Sequence, residues 1–114
     1  MKLPHAVVWT DHHDAQVVQF NEDEMTARKL HAPVYDTAQH GSEVRSEHEF
    51  FGEVCTALEG IPVILVTGSH TAVGDFRHYV EKHRPQISTR IAAYDIVDKL
   101  TENQLLAHGR KHFA

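Results

Sequence analysis

Ile61-Pro62-Val63-Ile64-Leu65-Val66-Thr67-Gly68-Ser69-His70-Thr71, continuing to Arg84 as AVGDFRHYVEKHR, decides the fold. Its first six residues form an unbroken, largely β-branched apolar run. Such a strand is buried on both faces, the habit of parallel strands in α/β sheets. Gly68-Ser69-His70-Thr71 breaks the run, and helical spacing follows. Val73, Phe76, Val80 and His83 fall on one stripe with Tyr79 beside it, predicting a helix over Thr71 to Arg84. The turn after the strand lies at its carboxyl end, where open α/β sheets keep their ligand crevices.

The remaining elements assemble around this unit. Ala6 to Thr10 and Ala15 to Phe20 flank Asp11-His12-His13-Asp14, a hairpin with a polar loop. Asn21 to Glu24 makes a second turn, and Thr26 to His31 returns as a third strand. Ala32 to Arg45 holds Pro33 and Gly41 and is expected to be a loop. Ser46 and Glu49 fit a capping box, so a helix should start at Ser46 and bury Phe50, Phe51, Val54 and Leu58, with Gly60 as its stop. Arg90 to Val97 is a further strand. Thr101 and Gln104 form another capping box, opening a last helix through Leu105, Leu106 and Phe113. Gly109 inside that helix costs roughly 1 kcal/mol relative to Ala, which points to a close packing contact.

The order βββαβαβα joins an antiparallel meander to two strand–helix units. Right-handed crossovers then place helices on both faces of a mixed five-stranded sheet of order 3-2-1-4-5, the ribonuclease H-like arrangement. The 114 residues amount to one domain, residues 1–114, and 41% apolar content supports a packed core. No apolar run approaches the ~20 residues that span a bilayer, and the amino terminus is not a signal peptide. The single cysteine, Cys55, excludes an internal disulfide and fits a reducing, cytoplasmic setting.

The formal charge of −5 argues against bulk electrostatic capture of nucleic acid, although eleven histidines would move the chain towards positive charge in mildly acidic surroundings. Local basic groups remain. Lys82, His83, Arg84 and Arg90 surround Pro85, and Arg110, Lys111 and His112 close the last helix. Both sets lie where cations favour a helix dipole.

Several stretches resemble a known group. AVVWTDHHDAQVVQF, QHGSEVRSEHEFFGEV and VILVTGSHTAVGDFRHYVEKHRP, with the closing Asp98-x-x-Thr101-x-x-Gln104-Leu105, are similar to small bacterial translational machinery proteins. That group is related to the middle domain of archaeal and eukaryotic peptide-chain release factors and ribosome-rescue factors. The resemblance implies a non-catalytic, translation-associated protein with the ribosome or RNA as partner. Release factors carry Gly-Gly-Gln in the loop before the first helix. Here that region runs Thr37-Ala38-Gln39-His40-Gly41-Ser42-Glu43-Val44-Arg45 and has none, so peptidyl-tRNA hydrolysis does not transfer.

On this reading the contact residues are Gln39, His40, Gly41, Arg45 and His48 around the loop, Gly68, Ser69, His70 and Thr71 at the strand–helix turn, and Arg84. Free N–H groups at the turn suit a phosphate, although any strand–helix junction needs a glycine and a hydroxyl cap. No catalytic residue is assigned and no cofactor is required. The alternative class is a metal-dependent hydrolase or nuclease of ribonuclease H-like fold. Asp11, His12 and His13 would supply a divalent metal site at the hairpin tip, with distant help from His40 or His70, or Asp11 would recruit Glu47 or Glu53. A plain solvated turn is the more economical reading of the tip. A third class, a self-associating homodimer, would use helices, because the third strand is short and charged.

Overall fold

The computed structural model describes residues 3–32 and 42–113, with the backbone alone for residues 42–46. Strands β1 (His5–Thr10), β2 (Asp14–Phe20) and β3 (Met25–His31) come first. Helix α1 (Ser42–Ala57), strand β4 (Val63–Gly68), helices α2 (His70–His83) and α3 (Pro85–Ser88), strand β5 (Ile91–Ile96) and helix α4 (Glu102–His112) follow. The five strands form one sheet of order β3-β2-β1-β4-β5. β1 pairs antiparallel with β2 and parallel with β4, which places Thr10 opposite Gly68 at the carboxyl ends of the two central strands. The expected sheet order is the observed one.

Both hairpin turns are closed in the same way. Asp11 Oδ1 accepts from the backbone N–H groups of His13 and Asp14 at 2.7 and 2.6 Å, and Asn21 Oδ1 does the same for Asp23 and Glu24 at 2.8 and 2.6 Å. A short side-chain acceptor reaching its own chain two and three residues on is what makes Asp and Asn good turn formers.

Strand alternation divides the core. Ala6, Val8, Val17, Ile64 and Val66 face α1, α2 and α3, where Phe50, Phe51, Val54, Leu58, Phe76, Val80 and Ile87 are all buried. Val7, Trp9, Val18, Phe20 and Leu65 face α4 and its Leu105. Gly109 of α4 lies so close to this second face that a Cβ would stand 2.9 Å from both Phe20 and Val7, which is the contact its position called for. Trp9 Nε1 donates to Val97 O at 3.2 Å and Gln16 Nε2 to Leu100 O at 3.0 Å, tying the segment before α4 to the sheet. Thr101 caps α4 with the full reciprocal box anticipated for it.

Three expectations need correction. Helix α1 begins at Ser42, not Ser46, so residues 42–45 are helical. The stretch Ser42-Glu43-Val44-Arg45 contains neither Gly nor Pro, and nothing in it halts a helix. His83 is exposed instead of joining the apolar stripe of α2, whose buried residues are Ala72, Val73, Phe76 and Val80. It occupies the last turn, and its ring lies 4.8 Å from Tyr79. The short helix α3 was not anticipated. Pro85 at its first position and Ile87 in the core account for it. Among the described residues no helix is long and apolar enough to cross a membrane.

Gly68 has φ of 157° and no room for a side chain, since a Cβ would fall 2.0 Å from Thr10 O. Gly74, exposed on α2, would meet nothing within 4 Å. Replacing each with alanine should therefore move stability in opposite directions. We expect Gly68→Ala to cost about 3 kcal/mol, from an overpacked contact and a disfavoured φ together. Gly74→Ala should add about 1 kcal/mol through helix propensity. Urea unfolding of the two variants measures both.

Candidate functional site

The carboxyl ends of β1 and β4 bring the β1–β2 turn against the start of α2. Ser69 N donates to Thr10 O at 3.2 Å, so the first residue after β4 is bonded to the last residue of β1. Beyond that contact the turn projects His12 towards both helices. His12 Nε2 lies 3.0 Å from Asp75 Oδ2, in the second turn of α2, and 3.9 Å from Glu47 Oε2, in the second turn of α1. The imidazole and Glu47 are partly buried, while Asp75 is exposed.

A cleft of about 370 Å³ continues from this point between α1 and α2, lined by Glu47, His48, Phe51, Asp75, His78, Tyr79, Lys82 and His83. His48 lies tilted against Tyr79 and His83, at 5.6 and 6.1 Å between ring centres. The two helices run in the same sense. Glu47 meets Asp75's neighbourhood at one end, and Glu59, just past α1, accepts from Arg84 at 3.1 Å at the other. Aromatic faces, imidazoles and one ammonium at the walls suit a ligand with flat or anionic groups.

No protein-family profile and no curated protein matches the sequence. Its shape does match. Over 95% of its length the chain superposes on Pelota of Archaeoglobus fulgidus with a TM-score of 0.65 at 15% identity, covering 31% of that chain. An archaeal translation termination factor matches over 92% of this chain with a TM-score of 0.59, again at 15% identity, and 32% of its own length is covered. The fold is shared with both. This chain spans about a third of either protein, and at such identity the likeness concerns architecture alone. Both of these proteins are archaeal, and they bear on the release-factor-like fold, not on the small bacterial group.

The sequence-predicted residues do not form one surface. Gly68, Ser69, His70 and Thr71 make the β4–α2 junction, where Ser69 is the N-cap of α2 but its hydroxyl makes no cap bond. His70 and Thr71 are exposed there. His48 joins the cleft wall. Arg45 lies in the first turn of α1 by its backbone, and Gln39, His40 and Gly41 lie outside the described residues. Arg84 sits past the far end of α2, about 20 Å from the junction at 1.5 Å per residue, and is occupied with Glu59. The basic end of α4 reaches the same far edge, where Arg110 donates to Asn21 O at 3.2 Å, but on the opposite face of the sheet.

The hairpin-tip trio also separates. The Asp11 carboxylate is engaged by backbone N–H groups of its own turn, His13 is exposed, and His12 alone turns to the helices. Among the described residues, the group whose donor atoms converge is His12, Glu47 and Asp75. Neither Asp11 nor Glu53 belongs to it. Asp75 was missed because an acid on an exposed helix face carries no signal until the fold shows what stands opposite.

The one thiol takes no part. Cys55 is fully buried on α1, and burial pushes its thiol up to about 12, an effect that nearby Arg84 opposes and Glu59 reinforces. Burial likewise raises the Tyr94 phenol to about 12, with Glu81 adding to the rise and Arg77 lowering it. The folded chain therefore holds protons that the unfolded chain releases above its ordinary values of 9.0 and 10.0. Stability is full below those values and falls as pH rises towards 12. We expect the urea midpoint to drop across that alkaline window, less steeply in Cys55→Ala. At neutral pH a thiol reagent should leave the native protein unmodified for times over which the urea-unfolded chain reacts completely.

Proposed function

We propose that this domain is a non-catalytic, translation-associated module that contacts the ribosome or RNA through the edge formed by the carboxyl ends of β1 and β4. The observation that carries the reading is the match of almost the entire chain to part of a translation termination factor. The motifs that resemble release-factor middle domains point the same way. Without Gly-Gly-Gln, peptidyl-tRNA hydrolysis does not transfer to this chain, and binding is the role this reading keeps.

The local chemistry of that edge supports contact with phosphate. The amino end of α2 has no side-chain cap bond from Ser69 and no acidic residue in its first turn. Its orphan N–H groups and the positive end of its dipole favour an anion. Arg45 stands in the first turn of α1, four residues after Gly41 in sequence, and His48 follows one turn on. A guanidinium and neighbouring imidazoles can pair with a backbone phosphate whatever the net charge of the domain. Arg84, bonded to Glu59 at the other end of α2, acts in this reading as a structural cation. The hydrolase alternative is less well supported, because the Asp11 carboxylate from which it starts already serves the turn.

Sedimentation of the protein through a sucrose gradient with ribosomes tests this directly. Co-migration with ribosomal particles at low salt is expected, reduced severalfold by Arg45→Ala and retained by Arg84→Ala. Protein that stays at the top of every gradient would overturn the proposal, and equal loss in the two variants would move the interface away from this edge.

A further inference from the structure

His12, Glu47 and Asp75 come from three separate elements, and their side chains meet at one point. We propose that they bind one divalent transition-metal ion, zinc(II) in class, at the mouth of the α1–α2 cleft. Their donor atoms, one imidazole nitrogen and two carboxylate oxygens, all lie within 4.8 Å of one another. In a tetrahedral zinc site with bonds of about 2.0 Å, ligand atoms stand about 3.3 Å apart. The observed 3.0 Å from His12 to Asp75 and 3.9 Å from His12 to Glu47 bracket that spacing, so small rotations of side chains suffice.

The donor chemistry selects the ion. Two carboxylates facing each other repel unless a cation lies between them, and an imidazole nitrogen in the set favours zinc over magnesium or calcium, which prefer oxygen alone. Both carboxylates stand on helices whose burial is fixed elsewhere, Glu47 beside Phe50 and Phe51 and Asp75 beside Phe76. His12 is held by a turn that Asp11 closes. The fold thus brings the three side chains together, and His12 and Asp75 already lie within hydrogen-bond distance of each other. Three protein donors leave a fourth position open, as in zinc sites that take water or substrate. Glu47 and Asp75 also line the cleft, beside His48, Tyr79 and Lys82, so a phosphate or carboxylate oxygen entering the cleft could complete the shell.

The rival account is an ion triad in which a protonated His12 alone neutralises the two acids. Titration of tag-free, chelator-treated protein with zinc(II) by calorimetry, and with cobalt(II) by visible absorption, separates the two. The expected result is one ion per chain and intense cobalt bands of low coordination number. Binding should weaken at least about tenfold in each of His12→Gln, Glu47→Gln and Asp75→Asn, and stay unchanged in His13→Gln, which alters the neighbouring exposed imidazole. Zinc should raise the Tm of the native chain and of His13→Gln but not of the three ligand variants, whose folding is checked by circular dichroism. Absence of stoichiometric binding, or affinity unaltered in any one of the three, would overturn the site and leave the ion triad. Neither result depends on ribosomes, so the site and the proposed contact stand or fall separately.

Discussion

Everything at the working edge depends on how closely β1 and β4 finish together. Thr10 and Gly68 are partners in the parallel register, and the absent side chain of Gly68 lets the backbone of Thr10 occupy the space. Ser69 N then bonds Thr10 O, while Thr67 Oγ1, fully buried, donates to Val8 O at 2.7 Å. A buried hydroxyl must find an acceptor, and this one finds it across the same strand pair. The turn that carries His12 and the helix that carries Asp75 therefore leave the sheet side by side. A bulkier residue at position 68 would part them, and the convergence of imidazole and carboxylates would go with it.

The two faces of the sheet solve burial differently. One is covered by α1, α2 and α3 with three phenylalanines, Phe50, Phe51 and Phe76, in edge or tilted contact at 5.3–5.9 Å. Among the described residues, α4 is the helix on the other face, joined there by Val97 and Leu100 of the segment before it. There the helix compensates for small area by proximity, with Gly109 set against Phe20 and Val7, and with His5 and Phe113 stacked at 4.8 Å along its end. Aromatic contacts of this kind add about 0.5–1.5 kcal/mol beyond the area they bury.

The architecture was legible because its strongest signals are local. The apolar run before Gly68 read as a central parallel strand, and the Thr101–Gln104 box marked a helix start that the backbone bears out, while Gly60, with φ of 81°, lies in the turn three residues past the end of α1. The start of α1 was misread because Ser46–Glu49 matches a capping pattern that the helix runs straight through. Pattern alone cannot tell a cap from a serine inside a helix when no breaker lies upstream. The site was legible only in pieces. His12 and Glu47 were each visible, but in different hypotheses, and their meeting with Asp75 is set by crossover and packing, which no spacing of residues 12, 47 and 75 encodes.

The α4 cover on the second face gives the molecule a seam. Leu105, Leu106 and Phe113 of the last segment, together with the hydrogen bonds that Trp9 and Gln16 send to Val97 and Leu100, are what hold it shut. Releasing α4 leaves the five-stranded sheet and its three-helix layer topologically whole, because α4 comes after all five strands in chain order. Protection from hydrogen exchange should accordingly fall into two cooperative tiers, with the amides of α4 opening before those of β1 and β4. The fold would in that case carry a hydrophobic surface of Val7, Val18, Phe20 and Leu65 that is transiently uncovered without global unfolding.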